Sequence, residues 1–495
     1  MHPVITAEPD GGNLSHLAMN DHHRRSGQRE RREQRSLYHG VRGTAVKLLN
    51  RVERSDSFLD KVLDVELKTG DWNDADKKLL TEIVHGVLRW QNKLDWVLNG
   101  FSHGNFAKSE INVKNALRVG LYQIMFLDRI PHAAAVHESV EFVKRIRGDK
   151  PAGLVNAVLR NVIRNIDGIR YPDPADDQVQ HLAVVSSHPH WIVRRWVKRF
   201  GVEEAQKLLA ANNERPAISV RINKLKVEPG YFLTLLEKEH VEFKGSSHID
   251  YFLQVRHLSR IGQMELFRDG LFSIQDESAA LPCILISPQP GERVIDLCAA
   301  PGGKTTNLAE IMRNEGEVVS VDKYEARLNL VEQACHRLGV TNVRLVVGDA
   351  ATIELEPADK VLLDAPCSGL GVLSKKPDIK WKRDVSDILK LTQLQSDLLE
   401  NAARLVKPGG VLVYSTCTTE HEENQGQIVR FLERHPEFHI DNAKNFVNSD
   451  LVTPEGFVET LPHRHAMDGS FAARLIKAKN SEHQPDVMHT EADHG

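Results

Sequence analysis

Two hydrophobic periods divide this chain. Over residues 37–170 apolar positions recur at helical spacing. Leu79, Leu80, Ile83, Val84, Val87 and Leu88 share one helical face. Leu154, Val155, Val158, Leu159, Val162, Ile163 and Ile166 form a second stripe, with Asn156, Arg160, Asn161 and Arg164 off it. No strand-like alternation of any length interrupts this segment, so an all-α domain is expected. From Gly291 the period changes. Short apolar runs alternate with helical stretches: Val294-Ile295, Val318 to Val321, Val343 to Val347, Val361 to Leu363, and Val411 to Tyr414. Between the last two, Ile388, Leu391, Leu394, Leu398, Leu399, Ala402 and Leu405 mark a long amphipathic helix, stopped at Pro408-Gly409-Gly410. Runs bounded by turn residues read as buried parallel strands. An α/β, Rossmann-like, doubly wound parallel sheet is therefore expected over 291–480.

A Pro- and Asp-rich linker, Pro172 to about Ala183, leads into a small α+β module over 184–290. Its helix opens at His188-Pro189-His190-Trp191 and carries Arg194, Arg195, Lys198 and Arg199. Ala217 to Val220 is β-like and is followed by Arg221-Ile222-Asn223-Lys224-Leu225-Lys226. Basic residues interleaved with Trp196 and Phe200 would meet a phosphate backbone and stack on bases. A solvated helix face with core aromatics accounts for the same pattern. Residues 1–36 and 481–495 are polar tails too poor in large apolar side chains to fold alone.

At 495 residues the chain exceeds a single core. Charged residues are 27% and hydrophobic ones 41%, so the composition is that of an ordinary globular protein. No apolar stretch reaches membrane-span length, and no apolar core follows the basic residues of the first segment, so neither a membrane partner nor a secretory signal is expected. The cysteines (Cys283, Cys298, Cys335, Cys367 and Cys417) are odd in number and never spaced C-x-x-C. A disulfide scaffold and a metal site are thus disfavoured, and a reducing, cytoplasmic setting is expected. With a net charge of −4, any attraction for RNA must come from local basic patches. Lys375-Lys376-Pro377-Asp378-Ile379-Lys380-Trp381-Lys382-Arg383 is the best candidate, with Trp381 either stacking on a base or anchoring the loop.

The candidate chemistry lies at strand ends, which in an open α/β sheet face the ligand crevice. The first strand ends in Asp296-Leu297-Cys298-Ala299-Ala300-Pro301-Gly302-Gly303-Lys304. Its glycines allow close backbone approach to a ligand, and the next helix offers unpaired N–H groups. The run is not G-x-G-x-x-G, so a dinucleotide is disfavoured. Asp322, Asp349 and Asp364 end the next three strands; acids in succession there are better explained by a nucleoside ligand than by helix capping. Cys367 and Cys417 sit in the turns Asp364-Ala365-Pro366-Cys367-Ser368-Gly369 and Tyr414-Ser415-Thr416-Cys417-Thr418. Two thiols delivered to one crevice suggest covalent chemistry.

These motifs resemble the RNA cytosine-C5 methyltransferases, as do Glu422-Glu423-Asn424, Gln275-Asp276-Glu277-Ser278-Ala279 and Asp468-Gly469-Ser470-Phe471. Thr418-Thr419-Glu420-His421 departs from the family, which commonly has Ser, an apolar residue and Pro after the second cysteine. The helical segment resembles the NusB-like RNA-binding domain through Asp76-Lys77-Lys78-Leu79-Leu80, Gly86-Val87-Leu88-Arg89, Pro131 to Glu138, and Leu154 to Arg160. With that domain in front, the chain is similar to the bacterial 16S rRNA enzymes of the family, from about Tyr38 to Lys477.

The resemblance implies S-adenosyl-L-methionine as methyl donor, over Cys298, Ala299, Ala300, Pro301, Gly302, Gly303 and Lys304 and against Asp322, Arg327, Asp349 and Asp364. It makes Cys417 the nucleophile and Cys367 the residue that assists product release. Asp364 would hold the cytosine edge, and Lys304 would orient Asp364 or a phosphate. RNA, most plausibly 16S rRNA, is the expected partner, with no metal, and the chain is expected to act as a monomer. Three rival readings are a tRNA or 23S rRNA enzyme, a DNA-type enzyme using the Pro-Cys cysteine, and a non-enzymatic ribosome-assembly factor.

Overall fold

A computed structural model describes residues 37–103, 106–256 and 261–479. The tails expected at 1–36 and 481–495 lie outside these residues. The chain forms two compact units, Met1–Arg199 with Lys376–Asp378, and Phe200–Lys375 with Ile379–Gly495.

The first unit is helical: α1 (Gly40–Arg54), α2 (Leu59–Thr69), α3 (Asp74–Arg89), α4 (Gln91–Phe101), α5 (Ile111–Phe126), α6 (His132–Arg147), α7 (Asp149–Arg164), α8 (Gln178–Val185) and most of α9 (His190–Phe200). Both expected stripes fall on helices. On α3 the buried apolar set is Leu80, Ile83, Val84, Val87 and Leu88. On α7 it is Ala152, Val155, Val158, Leu159 and Val162, while Leu154 is exposed. Leu154 therefore lies at the edge of its stripe. Gly86 on α3 lets α5 approach: a Cβ there would strike the Tyr122 ring at 1.9 Å. Arg118 is buried in a polar knot, bonding Asp95 through two 2.7 Å contacts and Glu53 at 3.0 Å. The bidentate geometry offsets the cost of burying the guanidinium.

The second unit begins with α10 (Val202–Ala211) and a four-stranded antiparallel sheet, order β2-β3-β1-β4, made of β1 (Ile218–Ile222), β2 (Phe243–Gly245), β3 (Phe252–Val255) and β4 (Phe272–Ile274), with α11 (Pro229–Lys238) between β1 and β2. The larger sheet contains β5 (Arg293–Leu297), β6 (Glu317–Asp322), β7 (Val343–Val347), β8 (Ala358–Asp364), β9 (Val406–Thr416), β10 (Phe438–Ile440), β11 (Val458–Thr460) and β12 (Ser470–Lys477). Its order is β10-β12-β9-β8-β5-β6-β7, with β11 on β12. The helices α12 (Gly303–Ile311), α13 (Glu325–Leu338), α14 (Val385–Arg404) and α15 (Gln425–Arg434) accompany it.

Successive residues of the central strands bury on opposite faces. Val294, Val318, Leu362 and Val413 join one core, and Ile295, Val319, Val361, Leu412 and Tyr414 the other. Both faces are covered, which is why these strands read as unbroken apolar runs. The first core also takes in Val220, Phe232 and Phe272 of the small module, so module and sheet share one interior. The sheet is mixed rather than wholly parallel, because β12 pairs antiparallel with β9, β10 and β11. The helix before β9 ends at Arg404, and Pro408-Gly409-Gly410 lies inside β9 instead of stopping the helix.

Candidate active site

The carboxyl ends of β5, β6, β8 and β9 meet at one edge of the sheet. After Leu297 the chain turns sharply. Cys298 has φ 62° and Gly302 φ 100°, and α12 starts at Gly303. At Gly302 a Cβ would come within 3.0 Å of the Val331 backbone on α13, so the loop lies flat against that helix. Asp322 is buried at the end of β6. It accepts the Ala300 N–H at 3.3 Å and the Tyr324 N–H at 3.2 Å, and pairs with Arg327 at 3.2 Å. Arg327 in turn donates to the Ala300 carbonyl at 2.8 Å. Asp349 is half-exposed past β7. It accepts the Ala351 N–H and bonds Lys323 at 2.9 Å, and the Lys323 bond holds its carboxyl below the usual range.

Asp364 links the two sides of the edge. Its Oδ2 accepts Lys304 Nζ at 2.8 Å and its Oδ1 accepts the Ser415 hydroxyl at 2.9 Å. Burial works against the charge on Lys304, but Asp364 outweighs it and raises the ammonium above its usual value; the Cys417 sulfur adds to that. The two cysteine loops face each other. Cys367 Sγ lies 3.2 Å from Cys417 Sγ, and the Cys417 N–H points to Cys367 Sγ at 3.3 Å. Cys417 is exposed and Cys367 half-buried. The hydrogen bond with Cys417, then burial, push the Cys367 thiol well above its usual value. Burial pushes Cys283 up to about 12, Cys298 up to about 12 and Cys335 up to about 11, so these three are poor nucleophiles. Asp296, on β5, is pushed up to about 7 by burial; its Oδ2 accepts the Thr305 hydroxyl at 2.6 Å.

The structure thus gathers Cys417, Cys367, Asp364 and Lys304 into one constellation, with Asp322, Arg327 and the Cys298–Lys304 loop beside it. Asp349 stands further out, past β7. Several cations expected to face RNA are used internally. Arg221 is fully buried. It bonds Gln275, the Gly303 carbonyl at 2.7 Å, Thr306 at 2.9 Å and Glu310 at 2.8 Å, and so ties the small module to the start of α12. Lys375 bridges Asp276 and Asp468, and Lys380 is buried against Asn213 at 2.9 Å. Trp196 is core, and Trp381 is half-buried. A charged side chain gives no local sign of burial when its partner is distant in sequence. The signal for Arg221 was its place inside an apolar alternation, Ile218-Ser219-Val220-Arg221-Ile222.

Among the described residues no group of His, Cys, Asp and Glu could hold a metal ion, and no helix is long and apolar enough to cross a membrane.

A strand-end cradle beside paired thiols fits the fold of a methyltransferase, and comparison with known proteins gives that class. Residues 283–476 match the 16S rRNA methyltransferase RsmB/F family, 39–164 the NusB family, and 188–259 the ferredoxin-like domain of RsmF/B-like methyltransferases. The probable ribosomal RNA small subunit methyltransferase B of Bacillus subtilis is 36% identical over 446 residues, 88% of this chain and 98% of that protein. The Klebsiella pneumoniae ribosomal RNA small subunit methyltransferase B is 35% identical, over 89% of this chain and 99% of that one. The crystal structure of PH0851 superposes with a TM-score of 0.75 at 29% identity, covering 90% of this chain and 99% of that one. NSun6 from Pyrococcus horikoshii, solved with SFG, gives 0.53 at 26% identity over 58% of this chain and 97% of its own. The chain belongs to the RsmB/F family of S-adenosylmethionine-dependent 16S rRNA methyltransferases, with a NusB domain in front.

Proposed function

We propose that this chain methylates C5 of a cytosine in 16S rRNA through a covalent Cys417–cytosine adduct. The observation that carries the reading is the pair of sulfurs 3.2 Å apart beside the Lys304–Asp364 ion pair. Cytosine C5 is a poor nucleophile, and a thiolate adding to C6 makes it enamine-like. Cys417, the more exposed sulfur, is placed to add, with the Lys304–Asp364 pair beside it. Asp364 is fixed by Lys304 and Ser415 to meet the N3 and N4 edge of the ring. Once Cys417 is bonded to C6 and its charge is consumed, Cys367 releases its own thiol proton to solvent and, as thiolate, takes the C5 proton while Cys417 departs as thiolate.

The cofactor reading rests on the donor set. Asp322 and Asp349 offer carboxylates for ribose hydroxyls, and the Cys298–Lys304 loop presents backbone at the start of α12. S-adenosylmethionine bound there supplies an electrophilic methyl group. The chain's own part is to hold the cytosine, ionise Cys417 and move the C5 proton. The target base must leave its stack to reach the sulfur. The NusB domain adds RNA affinity; a groove of about 690 Å³ between α6 and α7 is lined by His132, Arg160 and Arg164 together with Glu141 and the Lys144–Asp149 ion pair.

Bisulfite sequencing of 16S rRNA from cells with and without the gene tests the reading. One cytosine is expected to resist conversion only when the gene is present. No gene-dependent site in 16S rRNA, with one in tRNA or 23S rRNA, would move the substrate; none anywhere would leave a binding role.

A further inference from the structure

One buried carboxylate joins the two cysteine loops and has no part in the chemistry above. Glu423 lies in the 3-10 turn His421–Glu423 and is fully buried. Its Oε1 accepts the Ser368 N–H at 2.8 Å and the Gln395 side-chain amide at 3.0 Å, and its Oε2 accepts the Ser368 hydroxyl at 2.5 Å. Ser368 follows Cys367. The same hydroxyl meets Thr418 Oγ1 at 2.7 Å, and Thr418 follows Cys417. The Glu423 carbonyl accepts the Tyr414 hydroxyl at 2.6 Å, and the neighbouring Asn424 bonds Thr416 and the Thr418 carbonyl. Among the described residues no Lys, Arg or His forms an ion pair with Glu423. A buried carboxylate without a cation is costly. Glutamine would make the same bridge without that cost: its oxygen would accept from Ser368 N–H and Gln395, and its amide would donate to the Ser368 hydroxyl, which would turn to Thr418. Hydrogen bonding alone therefore does not account for a charge here.

We propose that Glu423 is the positioning residue that divides the labour between the two cysteines: bonded to the residue after Cys367, it fixes that sulfur against Cys417 and sets a buried negative charge behind it, so that Cys367 stays a thiol and Cys417 carries the charge. The inference rests on Cys417 being the nucleophile. The surrounding groups agree in sign. Lys304, from α12, is lowered by burial and raised chiefly by Asp364, with Cys283 and then Cys417 adding to it. Cys367 responds to Cys417 first, then burial, then the charges of Cys417 and Glu423. Other charged or titratable groups around the pair include Asp364 at the end of β8, Tyr414 on β9, Arg430 on α15, the buried Glu420, whose N–H donates to Thr418 Oγ1 at 3.3 Å, and Arg383, whose Nε donates to the Ser368 carbonyl at 3.2 Å. Burial raises the Glu423 carboxyl itself, and its bonds to Ser368, Gln395 and Thr418 pull it back.

The test follows the alkylation of Cys367 by iodoacetamide against pH, read by peptide mass spectrometry, in Cys417→Ser with and without Glu423→Gln. It needs neither RNA nor methyl donor. Glu423→Gln is expected to lower the pH midpoint of Cys367 by about one unit, roughly tenfold faster labelling near neutrality. Equal midpoints in two folded proteins would overturn the proposal, whether Glu423 is uncharged or its charge does not reach Cys367. Should Glu423→Gln not fold, Ser368→Ala in the Cys417→Ser chain removes one donor and keeps the carboxylate. Its midpoint should stay level or rise, and a fall would be equally fatal. Failure of the nucleophile assignment shows separately, as a covalent RNA complex that survives Cys417→Ser.

Discussion

The two sides of the sheet edge are held in opposite ways. On the β5–β6 side Asp322 and Arg221 end in balanced charge, while Asp296 has only the Thr305 hydroxyl. Asp322 has Arg327 and two peptide N–H groups, and Arg221 has Glu310. On the β8–β9 side Asp364 has Lys304, but the sulfurs lean on each other and on neutral hydroxyls, with the uncompensated Glu423 behind them. Neutralised charges make a rigid cradle, which suits binding. Unbalanced ones, on the proposal made for Glu423, keep two chemically identical thiols unlike, which suits reaction.

The sharpest way to break this contrast is to remove each sulfur in turn. Cys417→Ser should abolish methylation and any covalent RNA complex. Cys367→Ser should still attack and transfer, then stall, and accumulate a slow-migrating protein–RNA band in a denaturing gel. The reverse pattern would exchange the two roles and make the chemistry DNA-type. Next in size is Lys304→Met, which strips Asp364 of its cation; single-turnover methylation should slow by roughly 10²-fold or more. Normal rates would place the ion pair outside the reaction. On the cradle side, Asp322→Ala should weaken S-adenosylmethionine binding by about 1.5–3 kcal/mol, measured by calorimetry on the folded variant. Equal affinity would remove Asp322 from the cofactor site.

The smallest effect compares one carboxyl from each side. Burial pushes Asp296, on β5, and Asp468, beside the Cys367 loop, each up to about 7. A raised carboxyl binds a proton in the folded chain that the unfolded chain has already released. Each therefore contributes stability that is fully present below the unfolded value, near 4, and is lost as pH rises to about 7. Asp296→Asn and Asp468→Asn should each flatten the fall in melting temperature over that window. A slope identical to the parent's for either would show that its carboxyl is ionised throughout.

Much of this edge was legible because its signals are local. The apolar runs, the glycine loop, the acids at strand ends and the two cysteine turns each occupy a few consecutive residues. The burial of charge was not. Lys375 reads as basic surface until Asp276 and Asp468 close on it, and Arg221 until Glu310 does. β12 escaped notice for a similar reason. Arg474 interrupts its apolar run, yet its guanidinium turns inward to Asp441 and to the Leu285 and Ile286 carbonyls.

Gly371 has a longer reach than its size suggests. Its N–H donates to the Cys417 carbonyl and its carbonyl accepts the Gly469 N–H, while a Cβ there would stand 1.9 Å from the Gly469 oxygen and 2.9 Å from that of Cys417. Three loops are riveted at a point with no room for even a methyl group. Descendants of this sequence can drift around that rivet but cannot thicken it, so the loops carrying the two sulfurs and the one at Gly469 are inherited as a single part.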